Sequence, residues 1–290
     1  MRLLVLGPNG QLGGDLMDRA AARPGVEAAP AGRDAVDVTD RDALAAFLRD
    51  ARFDVLVNCT SYHKTDEVEG EAGRAMAVNA HAPALMAEIC AGKGARFLHV
   101  STDYVFGGDR ARRTPLVESD PTAPVNVYGA SKAFGETLIG LVGGETVIFR
   151  VASLFGVRGA SGKGGNFVET MLRFGREKGA LKVVSDQVMS PTSTDFIAGA
   201  ILEFLARDGA PGIYHCVNAG ETSWFGFAEA IIARAGVAAT VTPCPSSEWP
   251  TPARRPRYSA LDAGKLAGEI GPIPDWREAL ELYLKAKGHV

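Results

Sequence analysis

Tyr128 and Lys132 stand four residues apart in the stretch VNVYGASKAFGE, residues 125–136. On a helix that spacing puts both side chains on one face, with Cβ atoms about 5–6 Å apart. A phenol in water has a pKa of about 10, too high to trade a proton readily at neutral pH. A neighbouring ammonium stabilises the phenolate and lowers that value. The pair is therefore expected to act as a tuned proton donor; its alternative is decoration of a solvated helix face. GPNGQLG, residues 7–13, supplies a complement: Gly7, Gly10 and Gly13 in a G-x-x-G-x-x-G spacing, after an apolar run and before a helical pattern. Glycines there allow a tight turn and let a pyrophosphate approach the helix N-terminus, where unpaired N–H groups favour negative charge. A dinucleotide loop followed by an acid suggests hydride transfer coupled to proton transfer.

The elements that must position these groups are readable in the first half. RLLVLG (2–7), FDVLVN (53–58), ARFLHVS (95–101) and TVIFRV (146–151) are short apolar runs expected as buried strands. TDRDALAAFLRD (39–50) reads as a helix capped by Thr39 with Asp42 three positions later. Residues 71–94 read as a longer helix, with Pro83 predicting a kink or break. Strands alternating with helices predict βαβ units, hence an α/β fold with a Rossmann-type doubly wound parallel sheet. Later segments predict helices over 194–209, about 223–235 and about 275–287, a strand near 212–217, a glycine-rich loop over 156–166 and a proline- and arginine-rich loop over 244–259. The expected division is a discontinuous dinucleotide-binding domain, 1–155 with about 192–217. A smaller C-terminal substrate lobe, 156–191 with 218–290, covers the carboxyl edge of the sheet, where such folds bind ligands.

Bulk properties narrow the classes. With 290 residues, 46% hydrophobic and 22% charged, the chain can bury a core without staples. A net charge of −3 argues against a nucleic-acid partner. No apolar run approaches the about 18 residues of a membrane span, so a cytoplasmic location is expected. Cys59, Cys90, Cys216 and Cys244 show no zinc or redox spacing, and no carboxylate cluster suggests a metal. The cofactor signal about 20 positions beyond the glycine turn is mixed. Arg33 would accept a ribose 2′-phosphate and Asp34 beside it a 2′-hydroxyl, so NADPH is expected with NADH still open. Asp37 and Val38 lie either beside an adenine ring at the end of a third strand or at a plain strand terminus.

GPNGQLG, DVLVNCTSY, STDYVFGG and DPTAPVNVYGASKAFGE together resemble the extended short-chain dehydrogenases. GGNFVETMLR, SDQVMSPTSTDF and WPTPARRPRYSAL narrow the resemblance to the dTDP-4-dehydrorhamnose reductase family, over nearly the whole chain. The resemblance implies that Tyr128 gives a proton to the C4 carbonyl oxygen of a nucleotide-linked sugar, that Lys132 holds the nicotinamide ribose, and that Thr102 bonds the same carbonyl. It implies Gly10, Gln11 and Leu12 along the pyrophosphate, and Ser61, Tyr62 and His63 flanking the cofactor. Asp103 and Ser153 would face the sugar, and Asn166 and Arg255 the nucleotide diphosphate. A homodimer is a further possibility.

Three positions depart from the family's usual pattern on the substrate side. Ser153 stands where a tryptophan is usual, Tyr258 at an asparagine and Val188 at an aromatic. Hence a related nucleotide-linked 4-ketosugar stays open. So do an epimerase or dehydratase of the same superfamily and a non-catalytic nucleotide-binding subunit. A dehydratase wants glutamate after the aspartate of STD, and Tyr104 stands there. His99, in an apolar run, reads as a core histidine; His63 reads as a cofactor neighbour or a loop residue. Asn79 reads as a contact inside its helix or as support for a proton relay near Tyr128.

Overall fold

Six parallel strands form the central sheet: β1 (Arg2–Leu6), β2 (Glu27–Ala31), β3 (Val55–Asn58), β4 (Arg96–Thr102), β5 (Thr146–Val151) and β6 (Gly212–His215), in the order β6-β5-β4-β3-β1-β2. This is the computed structural model of the chain, and it describes residues 1–158 and 165–290. The expected α/β class and doubly wound sheet are both present. Part of the glycine-rich loop, 159–164, lies outside the described residues.

Side-chain alternation along each strand feeds two cores. Leu3 and Val5 pack on one face with Leu12 and Leu16 of α1 (Gln11–Ala21) and with Ile197, Ile201 and Phe204 of a late helix, Thr194–Ala206. Leu4 and Leu6 pack on the other face with Leu44 and Leu48 of α2 (Arg41–Asp50), and with Leu85, Met86 and Ile89 of α3 (Ala82–Lys93). Ile139 of α4 (Val127–Val142) closes that face. A third core is separate. It joins Val168, Met171 and Leu172 of α5 (Phe167–Lys178), Phe227 and Ile231 of the helix Trp224–Arg234, and Trp276, Leu280 and Tyr283 of the helix Trp276–Ala286. Strand Ala180–Val184 pairs in parallel with Thr240–Cys244 beside it.

Several expectations need correction. Helix α2 is capped by Asp40, whose side chain accepts from the Ala43 N–H; Thr39 instead donates to Asp37. Asp37 and Val38 lie in the β2–α2 loop, not at a strand end. The long helix 71–94 is interrupted, as Pro83 predicted: Ala72–Met76 runs into a π-turn over Ala77–His81, and α3 follows with Pro83 directly after that turn. Strand β2 escaped the sequence reading because EAAPA is an edge strand, mostly exposed and with a proline that edge strands tolerate.

Candidate active site

The strand order reverses between β1 and β3, and the crevice above the carboxyl ends of those strands is where such sheets bind ligands. A cleft of about 900 Å³ opens there. Its floor is Gly7–Gly13 after β1 and Cys59, Thr60 and Ser61 after β3. Gly10 is the N-cap of α1, and no side chain caps that helix, so its first N–H groups face the cleft end. A Cβ on Gly13 would sit 2.1 Å from the Gly7 carbonyl oxygen, so glycine is what lets the turn close onto the helix. Leu12 and Gln11 line the same wall, and the buried Gln11 Oε1 has no hydrogen-bond partner within the protein.

At the far end Arg33, Asp37, Val38 and Thr39 line the cleft with Arg74, which sequence reading missed. Asp37 accepts from the Thr39 N–H at 2.9 Å and its hydroxyl at 2.7 Å; these bonds, with Arg33 and Arg74 nearby, hold its carboxyl below the usual range. Arg74 stands in a polar helix next to no motif; only the packing of that helix against α4 brings it here. A dinucleotide suits this set: a glycine turn on an uncapped helix N-terminus for the phosphates, an orphaned acceptor at Gln11 for a hydroxyl, and two guanidinium groups at one end.

The chemical centre lies midway. Asn126 caps α4, its Oδ1 accepting from the Gly129 N–H at 2.7 Å, and this fixes Tyr128 in the first turn. Tyr128, Thr102, Asp103, Ser61, Tyr104 and Ser153 all line the cleft. The Tyr104 ring meets Tyr128 edge-on at 5.9 Å. Burial raises the Tyr128 pKa, and the hydroxyls of Ser61 and Thr102 partly oppose that. A phenol so placed is protonated at neutral pH. The expected lowering by Lys132 is not seen. Lys132 is 1% exposed and does not line the cleft; its Nζ donates to Val100 O at 2.6 Å and meets His99 Nε2 at 2.9 Å. Asp103 is pushed up to about 6 by burial, although Ser259 Oγ and Thr102 Oγ1 donate to it at 2.6 and 3.0 Å.

Other expected residues fall variously. His63 lines the cleft. Tyr62 does not; its hydroxyl donates to Glu67 at 2.6 Å and its ring lies under Arg74. Asn79 reaches out of its helix, accepting from the Tyr62 N–H at 2.9 Å and donating to Ser131 Oγ at 3.0 Å, so it braces the loop that carries Ser61. Asn166 touches the cleft, but its amide caps α5 and donates to Gly156 O and the Tyr283 hydroxyl. Arg255 does not line the cleft. It pairs with Asp66 at 2.8 Å, behind Tyr104. Ser153 sits at φ 45°, a strained conformation for serine, beside a small side pocket that it shares with Val188 and Trp224. Tyr258 is buried, and its hydroxyl bonds Glu221.

The model of the family described as RmlD substrate binding domain matches residues 1–288. The chain belongs to that family. It is 39% identical to a dTDP-4-dehydrorhamnose reductase of Burkholderia thailandensis, covering 98% of both chains. It is 40% identical to one of Mycolicibacterium smegmatis, covering 97% of this chain and 84% of that one. A solved dTDP-4-dehydrorhamnose reductase of Bacillus anthracis, in complex with NADP, superposes with a TM-score of 0.90 at 32% identity, covering 98% of this chain and 99% of that one. Among the described residues no helix is long and apolar enough to cross a membrane.

Proposed function

We propose that the chain is an NADPH-dependent oxidoreductase that reduces the C4 ketone of dTDP-4-dehydrorhamnose to give dTDP-rhamnose. One observation carries the reading: the Tyr128 phenol, faced by Thr102 and Ser61, opens into the same cleft as the glycine turn of α1. The activity shared by the full-length relatives supports it.

Bound NADPH would supply the hydride to the ketone carbon. The chain's own residues do the rest. Tyr128 gives its proton to the alkoxide oxygen as it forms and is left as a phenolate. Thr102 bonds that oxygen, and Asp103 with Ser153 orients the sugar. Ser61 and His63 flank the nicotinamide end. Gly7, Gly10, Gln11, Leu12 and Gly13 hold the pyrophosphate, and Arg33 with Arg74 meets the 2′-phosphate. Lys132 holds the nicotinamide ribose once its Nζ turns into the cleft. Asn166 acts by fixing α5 at the diphosphate end. Residues 1–155 with about 192–217 bind the dinucleotide, and 156–191 with 218–290 bind the sugar.

A homodimer belongs to the same reading. It rests on Phe134 and Leu141, both exposed and seven positions apart on α4; sedimentation measures it. Cytoplasmic work also belongs to it, in keeping with four unpaired cysteines.

The test is kinetic. Tyr128→Phe should lower turnover about 10²–10⁴-fold while the NADPH dissociation constant changes little. Wild-type-like turnover in that variant would remove the proton donor. Turnover by wild type of other dTDP-, UDP- or GDP-linked 4-ketosugars in preference to dTDP-4-dehydrorhamnose would replace the substrate.

A further inference from the structure

His99 lies on β4, fully buried, with both ring nitrogens in hydrogen bonds. Its partners fix where the protons sit. The Thr60 backbone N–H donates to Asn58 Oδ1 at 2.9 Å, and the Thr60 hydroxyl does so at 2.6 Å. A backbone N–H can only donate, so this atom is the oxygen of the amide and Nδ2 is its donor end. Asn58 Nδ2 lies 3.1 Å from His99 Nδ1, which must then accept. A neutral imidazole accepting at Nδ1 carries its proton on Nε2. That Nε2 stands 2.9 Å from Lys132 Nζ. An N–H aimed at Nζ needs a lone pair there, and an ammonium has none. A doubly protonated His99 would set two donors against each other at Asn58, and burial with Lys132 nearby pushes its pKa well down. Lys132 is thus a neutral amine in this arrangement, accepting from His99 and donating to Val100 O.

The charges around Nζ agree. Burial pulls its pKa down to about 7, while Glu136 one turn on and Cys59 after β3 act the other way. Glu136 is itself neutralised by Arg150 at 2.6 Å and bonded by Ser101 at 2.5 Å. Val100, whose carbonyl oxygen Nζ bonds at 2.6 Å, itself lines the cleft.

We propose that His99 is a positioning residue that holds Lys132 as a neutral amine in the cofactor-free protein, and that cofactor binding converts Nζ to an ammonium. The proposal rests on the reading of Lys132 as the ribose partner. Released from the His99 N–H and placed among ribose hydroxyls, the Nζ lone pair takes one proton from solvent; no other bond forms or breaks. The charge that steadies the Tyr128 phenolate is then present only when the cofactor is.

The experiment is binary binding of NADP⁺, without sugar, from pH 7 to 9, above the titration of the 2′-phosphate. For wild type, affinity should weaken by up to about tenfold per pH unit across this range, the signature of one proton taken up. Lys132→Met should flatten the profile. In His99→Gln an amide oxygen can accept from an ammonium, so Lys132 is charged beforehand and the slope should fall to about twofold per unit or less. Asn58→Asp reverses the polarity of the chain from the other end: the carboxylate accepts from Nδ1–H, Nε2 becomes an acceptor, and the slope should fall likewise. A His99 that merely packs would shift affinity equally at every pH. A flat wild-type profile, a wild-type slope in Lys132→Met, or an unchanged slope in both other variants overturns the proposal while leaving the cofactor reading intact. No NADP⁺ binding at any pH overturns both.

Discussion

Asp103 shows how a residue can serve the site at a cost to the fold. Its carboxyl is 3% exposed and accepts two hydroxyl bonds, yet burial still pushes its pKa up to about 6. A raised folded-state value means that the folded chain prefers the protonated form. The stability this gives is complete below the unfolded value of about 4 and is lost as pH rises through about 6, a change on the order of 2–3 kcal/mol. Asp103→Asn keeps the shape without the charge. It should raise the melting temperature at pH 8 and leave it nearly unchanged at pH 4, while reductase turnover falls. Calorimetry at the two pH values checks the sign; a variant less stable than wild type at pH 8 would show that the two hydroxyl bonds outweigh the burial. Tyr128 has the same environment and the opposite outcome: burial keeps its proton on, which a proton donor requires.

At the scale of elements, the glycine turn and α1 act as one unit. The Gly13 α-carbon is packed so close to the Gly7 carbonyl that an added methyl has no room at 2.1 Å. Gly13→Ala must either shift the turn or tilt α1, and both move the N–H groups offered to a phosphate. It should weaken NADPH binding by at least about tenfold, roughly 1.4 kcal/mol, with the far-UV spectrum preserved; titration of cofactor fluorescence measures it. Helix α4 is placed from both ends of the chain in a comparable way. Asn126 caps it and also donates to Arg254 O at 2.7 Å, tying the turn that carries Tyr128 to the proline-rich late loop. The interrupted helix before α3 has a use too: its π-turn carries Asn79, whose amide braces Ser61 across the cleft wall. π-turns recur where a side chain must be re-aimed at a functional site.

For the whole molecule, separate cores predict separable melting. The third core centres on Phe227, 1% exposed and in ring contact with Phe155, Phe167 and Trp276, each at 5.6 Å. Phe227→Ala should cost about 3–5 kcal/mol. Trp224 and Trp276 pack in or against this core, whereas the sheet cores hold no tryptophan. Fluorescence should therefore report an earlier transition than circular dichroism in the variant. Coincident transitions, shifted together, would mean that the lobe and sheet unfold as one unit.

Much was legible in the sequence by itself, because it is written in local terms. Apolar runs of strand length marked β1, β3, β4 and β5; the glycine spacing marked the turn before α1; Tyr128 and the STD stretch marked residues that share the cleft. Each depends on a short window and the same physics wherever it occurs. What remained was decided between distant segments. EAAPA becomes a strand only because β1 lends it hydrogen-bond partners. Arg74 joins Arg33 at the cleft, and Arg255 pairs with Asp66 outside it, through packing that no window contains. Lys132 sits on the face that its spacing predicted, but its protonation is set by Asn58 and His99 on two neighbouring strands. Protons go where donors and acceptors converge, and that convergence exists only once the chain has folded.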